Sequence, residues 1–81
     1  MRHARLAASP RLQRALKALQ AAGRPLTTRA LMRRARICAV NAVIAELREN
    51  GARIDCEQRV LPDGTRRWFY TLRQTPEGWR G

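Results

Sequence analysis

Apolar residues near the start of the chain recur at intervals of three and four positions, as they do along one face of a helix. Ser9 and Pro10 precede this stretch, and serine is favoured at the N-cap while proline is favoured at the first helical position. Gly23 follows the stretch, and glycine readily takes the left-handed conformation that closes a helix. The pattern predicts a first helix between these signals, with an inward stripe of Leu12, Ala15, Leu16 and Leu19.

A second helix is predicted to begin after Thr27, which follows a short extended link at residues 24–26. Residues beside Pro25 are pushed out of the helical region, so the link cannot continue the first helix. Thr27 is the expected N-cap, because Leu26 and Leu31 then occupy the two positions of a hydrophobic staple. The helix is expected to end near residue 35. Its inward side is expected to hold Leu31, Met32 and Ala35.

A third helix is predicted over about residues 39–50, after a tight connection at residues 36–38. The asparagine–glycine pair at residues 50–51 is a strong stop signal. Cys38 falls at the expected N-cap, and Arg36 falls where such turns commonly carry a glycine. The stripe expected to be buried comprises Val40, Val43, Ile44 and Leu47.

Alternating polar and apolar positions replace the helical period after residue 51 and predict a two-stranded hairpin. A two-residue turn would mix core and surface side chains on both faces, so a three-residue loop at 62–64 is expected, with Gly64 left-handed. The resulting cross-strand pairs are Ile54 with Leu72, Cys56 with Tyr70, Gln58 with Trp68, and Arg59 with Arg67. In this register Trp68 and Tyr70 are expected to face the core.

The predicted elements form one domain over residues 9–73. Residues 1–8 are expected to be a flexible basic segment without the apolar region of a signal peptide, and residues 74–81 a frayed tail. Trp79 in that tail would dock on the domain, pack on a second copy, or have no role. No apolar run approaches ~18 residues, so no membrane span is expected and the expected location is the cytoplasm.

The charge of the chain says more about its partner than its length does. The 81 residues include 17 Lys and Arg against 6 Asp and Glu, which gives a formal net charge of +11 and a pI near 11.8. Residues 1–36 contain ten basic and no acidic residues. A domain this basic usually meets a polyanion, and DNA, RNA and anionic membranes are the candidates. A genome biased towards arginine codons would produce the same composition without such a partner.

Residues suited to catalysis or metal binding are sparse. Cys38 and Cys56 do not form a CxxC pair, and the one histidine is His3, so no metal site is expected. Both cysteines are expected to be free, half-buried thiols. The sequence has no glycine-rich phosphate loop and no clustered carboxylates, so no cofactor and no catalytic site are expected. The protein is therefore expected not to be an enzyme.

Three stretches of residues 10–73 characterise the order of the predicted elements. They are Leu26-Thr27-Thr28-Arg29-Ala30-Leu31, Ile37-Cys38-Ala39-Val40, and Ile44-Ala45-Glu46-Leu47-Arg48-Glu49-Asn50-Gly51. This order resembles the small winged helix-turn-helix domains of bacteria, phages and prophages. The resemblance implies an α+β fold in which three helices precede a two-stranded β-hairpin wing.

In that family the third helix enters the major groove of double-stranded DNA and the wing follows the flanking backbone. The implied function is sequence-specific DNA binding in transcription regulation, by a protein associated with the nucleoid when bound. Phosphate contacts are expected from Thr28, Arg29, Arg33, Arg34 and Arg36. Base-edge contacts are expected from Cys38, Ala39, Asn41, Ala42 and Ala45. Wing contacts are expected from Arg59, Arg66 and Arg67.

Each of these expectations on the third helix has a plainer alternative. Asn41 would pair with the edge of adenine through two hydrogen bonds, or be an ordinary exposed polar residue. The alanines would lie against thymine methyl groups, or only favour the helix. Glu46 would accept a hydrogen bond from cytosine, or repel nearby phosphates. Arg59 and Arg67 repel each other across the hairpin, which a phosphate would relieve.

Three other partners are considered. The same fold could be a protein-interaction module that binds an acidic surface of a polymerase, a nuclease or the replication machinery. A homodimer could form through the first helix and the aromatic tail. RNA is disfavoured, because the aromatic residues of the hairpin are expected to be buried and could not stack on bases.

Overall fold

The computed structural model describes residues 5–79, which form an α+β fold. Within that range the helices are α1 (Pro10–Ala22), α2 (Thr28–Ala35) and α3 (Val40–Glu49), preceded by a 3-10 turn at Leu6–Ala8. The strands are β1 (Leu26–Thr27), β2 (Arg53–Val60) and β3 (Arg66–Gln74). They form an antiparallel sheet in the order β1-β3-β2.

The predicted boundaries of α1 and α2 are confirmed by the contacts and conformations at their ends. The Ser9 hydroxyl accepts the backbone N–H of Leu12 at 3.5 Å, and Gly23 is left-handed with φ 61°. The Thr27 hydroxyl accepts the backbone N–H of Ala30 at 3.1 Å. Arg36 is also left-handed, with φ 55°, and it ends α2 where the sequence lacks the usual glycine.

The predicted start of α3 is wrong by one residue. Ala39, not Cys38, is the N-cap, and its side chain makes no capping hydrogen bond. Cys38 lies one residue outside the helix, where its carbonyl accepts the backbone N–H of Val40 at 3.1 Å. This connection therefore ends α2 with a strained residue and begins α3 without a side-chain cap, so its shape depends on packing.

The prediction of a two-stranded sheet is also wrong, because part of the extended link is a third strand. Leu26 pairs with Tyr70 and Thr27 pairs with Phe69 on the outer edge of β3. Two extended residues beside Pro25 carry backbone groups that need partners, and the edge of β3 supplies them. The link thereby places β3 in the centre of the sheet and fixes the start of α2 against it.

The predicted hairpin register and loop are confirmed. Cys56 lies opposite Tyr70 and Arg59 lies opposite Arg67. The backbone N–H of Leu61 donates to the carbonyl of Thr65 at 2.7 Å, which closes a three-residue loop. Gly64 in that loop has φ 87°, a conformation that favours glycine.

The core lies between the three helices and the inner side of the sheet, and it is lined by the predicted stripes of α1 and α3 and by Leu31 and Ala35 of α2. Its fully buried side chains include Leu12, Leu16, Leu31, Val43 and Leu47. Two predicted core residues are exposed instead: Met32 is 37% exposed and Trp68 is 47% exposed. Trp68 is exposed because the hairpin extends past the helices, which therefore do not cover it. On β2 every residue from 55 to 60 is exposed.

Both predicted flexible ends are folded in their described parts. Leu6 is buried, and its backbone N–H donates to Oδ1 of Asn50 at 3.0 Å. Pro76 is buried, and Trp79 packs on the core while its indole N–H donates to Oε1 of Gln20 at 3.0 Å. Trp79 therefore docks on the domain. Residues 1–4 and 80–81, which include His3, lie outside the described residues.

Candidate nucleic-acid interface

Three neighbouring hollows share lining residues near the start of α2, and Thr28 lines all three, so we refer to them together as the groove. The hollow between α2 and the hairpin has a volume of about 280 Å³ and is lined by Thr27, Thr28, Arg29, Met32, Arg66, Arg67 and Trp68. The middle hollow, of about 440 Å³, is lined by Thr28, Asn41, Cys56, Trp68 and Tyr70. The third, also about 440 Å³, is lined by Thr28, Cys38, Ala39, Val40, Asn41 and Ala42.

One end of this groove is strongly basic. Arg29, Arg66 and Arg67 line it, each is exposed, and no carboxylate of the described residues lines any of the three hollows. The amino-terminal end of α2 lies in the same hollow, and the positive end of a helix dipole favours anions. This basic end has the charge and the donors to bind phosphate oxygens.

The other end of the groove is built from small side chains at the start of α3. Cys38, Ala39 and Ala42 are exposed there, so a ligand can approach the helix backbone closely. Asn41 is the amide among them. It is exposed on the first turn of α3 and offers both donors and an acceptor.

Three polar side chains from different elements are hydrogen-bonded in the middle of the groove. The Thr28 hydroxyl donates to the Tyr70 hydroxyl at 3.5 Å, and the Tyr70 hydroxyl donates to Oδ1 of Asn41 at 3.3 Å. Tyr70 is only 3% exposed, so its ring belongs to the core while its hydroxyl reaches the groove. The contact links β3 to the start of α2 and to the first turn of α3.

Glu46 does not face the groove as a partner for cytosine. A guanidinium nitrogen of Arg11 on α1 donates to both of its carboxylate oxygens at 2.9 Å, and the Glu46 side chain is 18% exposed. The Glu46 carboxylate is therefore engaged by Arg11 on the α1 side of α3, and Glu46 lines none of the three hollows.

Arg59 differs from Arg66 and Arg67, the other two hairpin arginines predicted to contact DNA. Its Nε lies 2.6 Å from a carboxylate oxygen of Glu57, and its guanidinium lies 4.7 Å from the ring centre of Phe69. The repulsion expected between Arg59 and Arg67 is thus offset within the protein, without a phosphate. Arg59 lies outside the groove, whereas Arg67 lines its basic end.

The remaining candidates do not line the groove. They are Arg33, Arg34, Arg36 and Ala45, which are exposed but line none of its three hollows. Arg33 follows Arg29 by one helical turn and continues the basic face along α2. Arg14 of α1 donates to the carbonyl of Ala35 at 2.9 Å and to that of Arg36 at 3.5 Å, which holds the end of α2 in place.

Six lining residues were missed as site residues by the sequence analysis, namely Thr27, Met32, Val40, Cys56, Trp68 and Tyr70. Strand alternation identifies the side of the sheet on which a residue lies, but not where the helices stop covering it. The lengths of the strands were the feature that could have shown where this cover ends. Strands of eight and nine residues are long for so small a set of helices, so their tip had to extend beyond the core.

Both thiols are exposed, so the expectation of half-buried cysteines is wrong. Over residues 5–79, no group of three or more His, Cys, Asp or Glu side chains is placed to hold a metal ion. No helix in the same range has the length and apolar character needed to cross a membrane.

Comparison of the chain with protein-family models, with curated proteins and with solved structures gave no match. The proposed function therefore rests on the groove and its residues.

Proposed function

We propose that this chain is a winged helix-turn-helix domain that binds double-stranded DNA at specific sequences, as a small transcriptional regulator of bacterial or phage type. The order of the helices and strands along the chain, with β1 adding a third strand beside the hairpin, is compatible with the layout of that fold. The hairpin of β2 and β3 is then the wing, and α3 is the recognition helix.

The observation that carries the proposal is that the groove has one basic end and one end formed by an amide and small side chains. At one end Arg29, Arg66 and Arg67 surround the start of α2, which suits the sugar-phosphate backbone. At the other end Asn41 and small side chains stand on the first turn of α3, which suits the floor of the major groove. Duplex DNA offers both surfaces side by side.

The structure favours DNA over an acidic protein partner. Glu46 of α3 is bound to Arg11 instead of being presented to a ligand. The groove is basic where an acidic protein would also fit, but its α3 end offers an amide and alanines, with no basic side chain to match carboxylates.

Selection of bound duplexes from a random pool, followed by a salt titration of the best binder, tests the proposal. We expect a consensus sequence and a steep loss of affinity with salt, because each neutralised phosphate releases counterions. Six phosphate contacts correspond to a log–log slope of about −5. Affinity without a consensus would contradict sequence-specific regulation. No affinity for any duplex at low salt would remove DNA as the ligand and leave the protein partner.

A further inference from the structure

We propose that Tyr70 is a positioning residue, whose hydroxyl fixes the orientation of the Asn41 amide and thereby makes Asn41 prefer adenine to guanine. This inference rests on the proposed binding of duplex DNA. It concerns one base pair, the one that the first turn of α3 contacts.

The direction of the hydrogen bonds determines which end of the amide faces Tyr70. The Thr28 hydroxyl donates to the Tyr70 oxygen, so the single proton of the Tyr70 hydroxyl is directed to Asn41. That proton needs an acceptor, and Oδ1 is the amide's acceptor while Nδ2 carries only donors. The Asn41 oxygen is therefore held towards Tyr70 at 3.3 Å.

The fixed amide matches the edge of adenine. In the major groove adenine presents the acceptor N7 beside the donor N6, whereas guanine presents two acceptors, N7 and O6. Oδ1 of Asn41 keeps a second lone pair for adenine N6, and Nδ2 donates to N7. Against guanine the same lone pair would face O6, which is repulsive. An amide free to rotate could instead turn both N–H groups towards guanine.

The phenol of Tyr70 is held firmly enough to act in this way. Tyr70 lies on the central strand of the sheet, where it pairs with Leu26 on β1 and with Cys56 on β2. Its ring is buried in the core, so neither the backbone nor the ring can follow a rotation of Asn41. Asn41 itself is exposed, and the hydroxyl of Tyr70 is what orients it on the protein side.

The decisive variant is Tyr70→Phe, which keeps the buried ring and removes the hydroxyl. We expect the ratio of affinities for two duplexes that differ only by adenine or guanine at the Asn41 position to fall about three- to tenfold, the worth of one neutral hydrogen bond. The salt dependence of binding should not change, because no phosphate contact is lost. Competition binding with the paired duplexes measures both quantities.

Two controls separate this effect from a general disturbance. Thr71→Val removes another hydroxyl of β3, next to Tyr70 but on the opposite side of the strand, and should leave the affinity ratio unchanged. Asn41→Ala should abolish the preference by itself. Adding Tyr70→Phe to Asn41→Ala should then change nothing further, because Tyr70 acts through Asn41.

A readout without DNA distinguishes failure of this inference from failure of the proposed function. In ¹⁵N–¹H spectra of the free protein, Tyr70→Phe should shift the side-chain amide signals of Asn41, while Thr71→Val should not. Unchanged amide signals, or an unchanged affinity ratio in a protein that selects a consensus, would overturn the role of Tyr70 alone. A wild-type protein that binds no duplex would overturn the proposed function, and this inference with it.

Discussion

Arg59 and Arg67 have the same predicted role in the sequence, but their side chains have different neighbours in the fold. They lie directly opposite each other on β2 and β3. Arg59 has a carboxylate of Glu57 and the ring of Phe69 as neighbours, so its charge is used within the hairpin. Arg67 lines the basic end of the groove beside Trp68. Of the two, Arg67 is the one that lines the groove in which a phosphate is proposed to bind.

Replacement of Arg67 by Ala should weaken binding to all duplexes by a similar factor. The log–log salt slope should become shallower by about one unit, the share of one phosphate contact. Arg73→Ala is the matched control, because it removes the same charge from the base of the hairpin, where Arg73 is ion-paired with Asp55 at 2.7 Å. Equal slopes for the two variants would mean that the wing does not contact the backbone.

Asp63 at the tip of the hairpin gives a dependence on pH. The hydroxyl and the backbone N–H of Thr65 donate to its carboxylate, with Arg67 close enough to add attraction, and together they lower its pKa below the ordinary 3.8. A lowered pKa means that the ionised form stabilises the fold. This contribution is present above the unfolded pKa and is lost as the pH falls through the folded one.

Titration of the Asp63 carboxyl by NMR should therefore give a midpoint below 3.8. In the Asp63→Asn variant, the acid-induced change at the tip of the hairpin should disappear, while signals from the helices keep their pH dependence. A midpoint at or above the ordinary value would show that the loop is not held by Thr65.

At the scale of helices and strands, the features that depend on neighbours in sequence were predictable, and those that depend on distant partners were not. The caps at Ser9 and Thr27 are local contacts, and both are confirmed. Strand β1 is two residues long and exists because β3 offers an edge some forty positions later. Nothing in the local pattern of Leu26 and Thr27 distinguishes such a strand from an extended link.

The junction between α2 and α3 offers a test in which one kind of substitution has opposite effects. Arg36 is left-handed, which is costly for a residue with a Cβ, so Arg36→Gly should raise the free energy of unfolding by about 1 kcal/mol. Arg34→Gly removes the same charge from inside α2 and should lower the free energy of unfolding by about 1 kcal/mol. Chemical denaturation measures both. Destabilisation by Arg36→Gly would mean that the side chain matters more than the backbone there.

At the scale of the whole molecule, net charge overstates how much basic surface is available to DNA. Several arginines of residues 5–79 donate to carboxylates or carbonyls of the protein itself, namely Arg11, Arg14, Arg48, Arg59 and Arg73. The sequence showed ten basic residues in its first 36 positions, but the basic end of the groove takes Arg29 from that part and Arg66 and Arg67 from the hairpin. Composition predicts a polyanionic partner, and the fold determines which of the charges remain exposed for it.

The ion pair between Arg11 and Glu46 ties α1 to α3 and can be measured by a double-mutant cycle. Both carboxylate oxygens accept from Arg11, and Glu46 is mostly buried, so the pair is worth more than an exposed one. We expect a coupling energy of about 1 kcal/mol between Arg11→Ala and Glu46→Ala in urea unfolding. Glu57→Ala with Arg59→Ala, an exposed pair, should couple more weakly. Equal coupling would mean that burial adds nothing to the inner pair.

The two exposed thiols have a practical consequence. Cys38 and Cys56 are the only cysteines of the chain, and each lines a hollow of the groove that Asn41 also lines. A bulky maleimide on either sulfur would stand where the duplex is proposed to lie, while a thiol-modified oligonucleotide could be tethered there by disulfide exchange. The unaltered protein thus already carries attachment points that would map which nucleotides of the proposed duplex pass closest to α3 and to the hairpin.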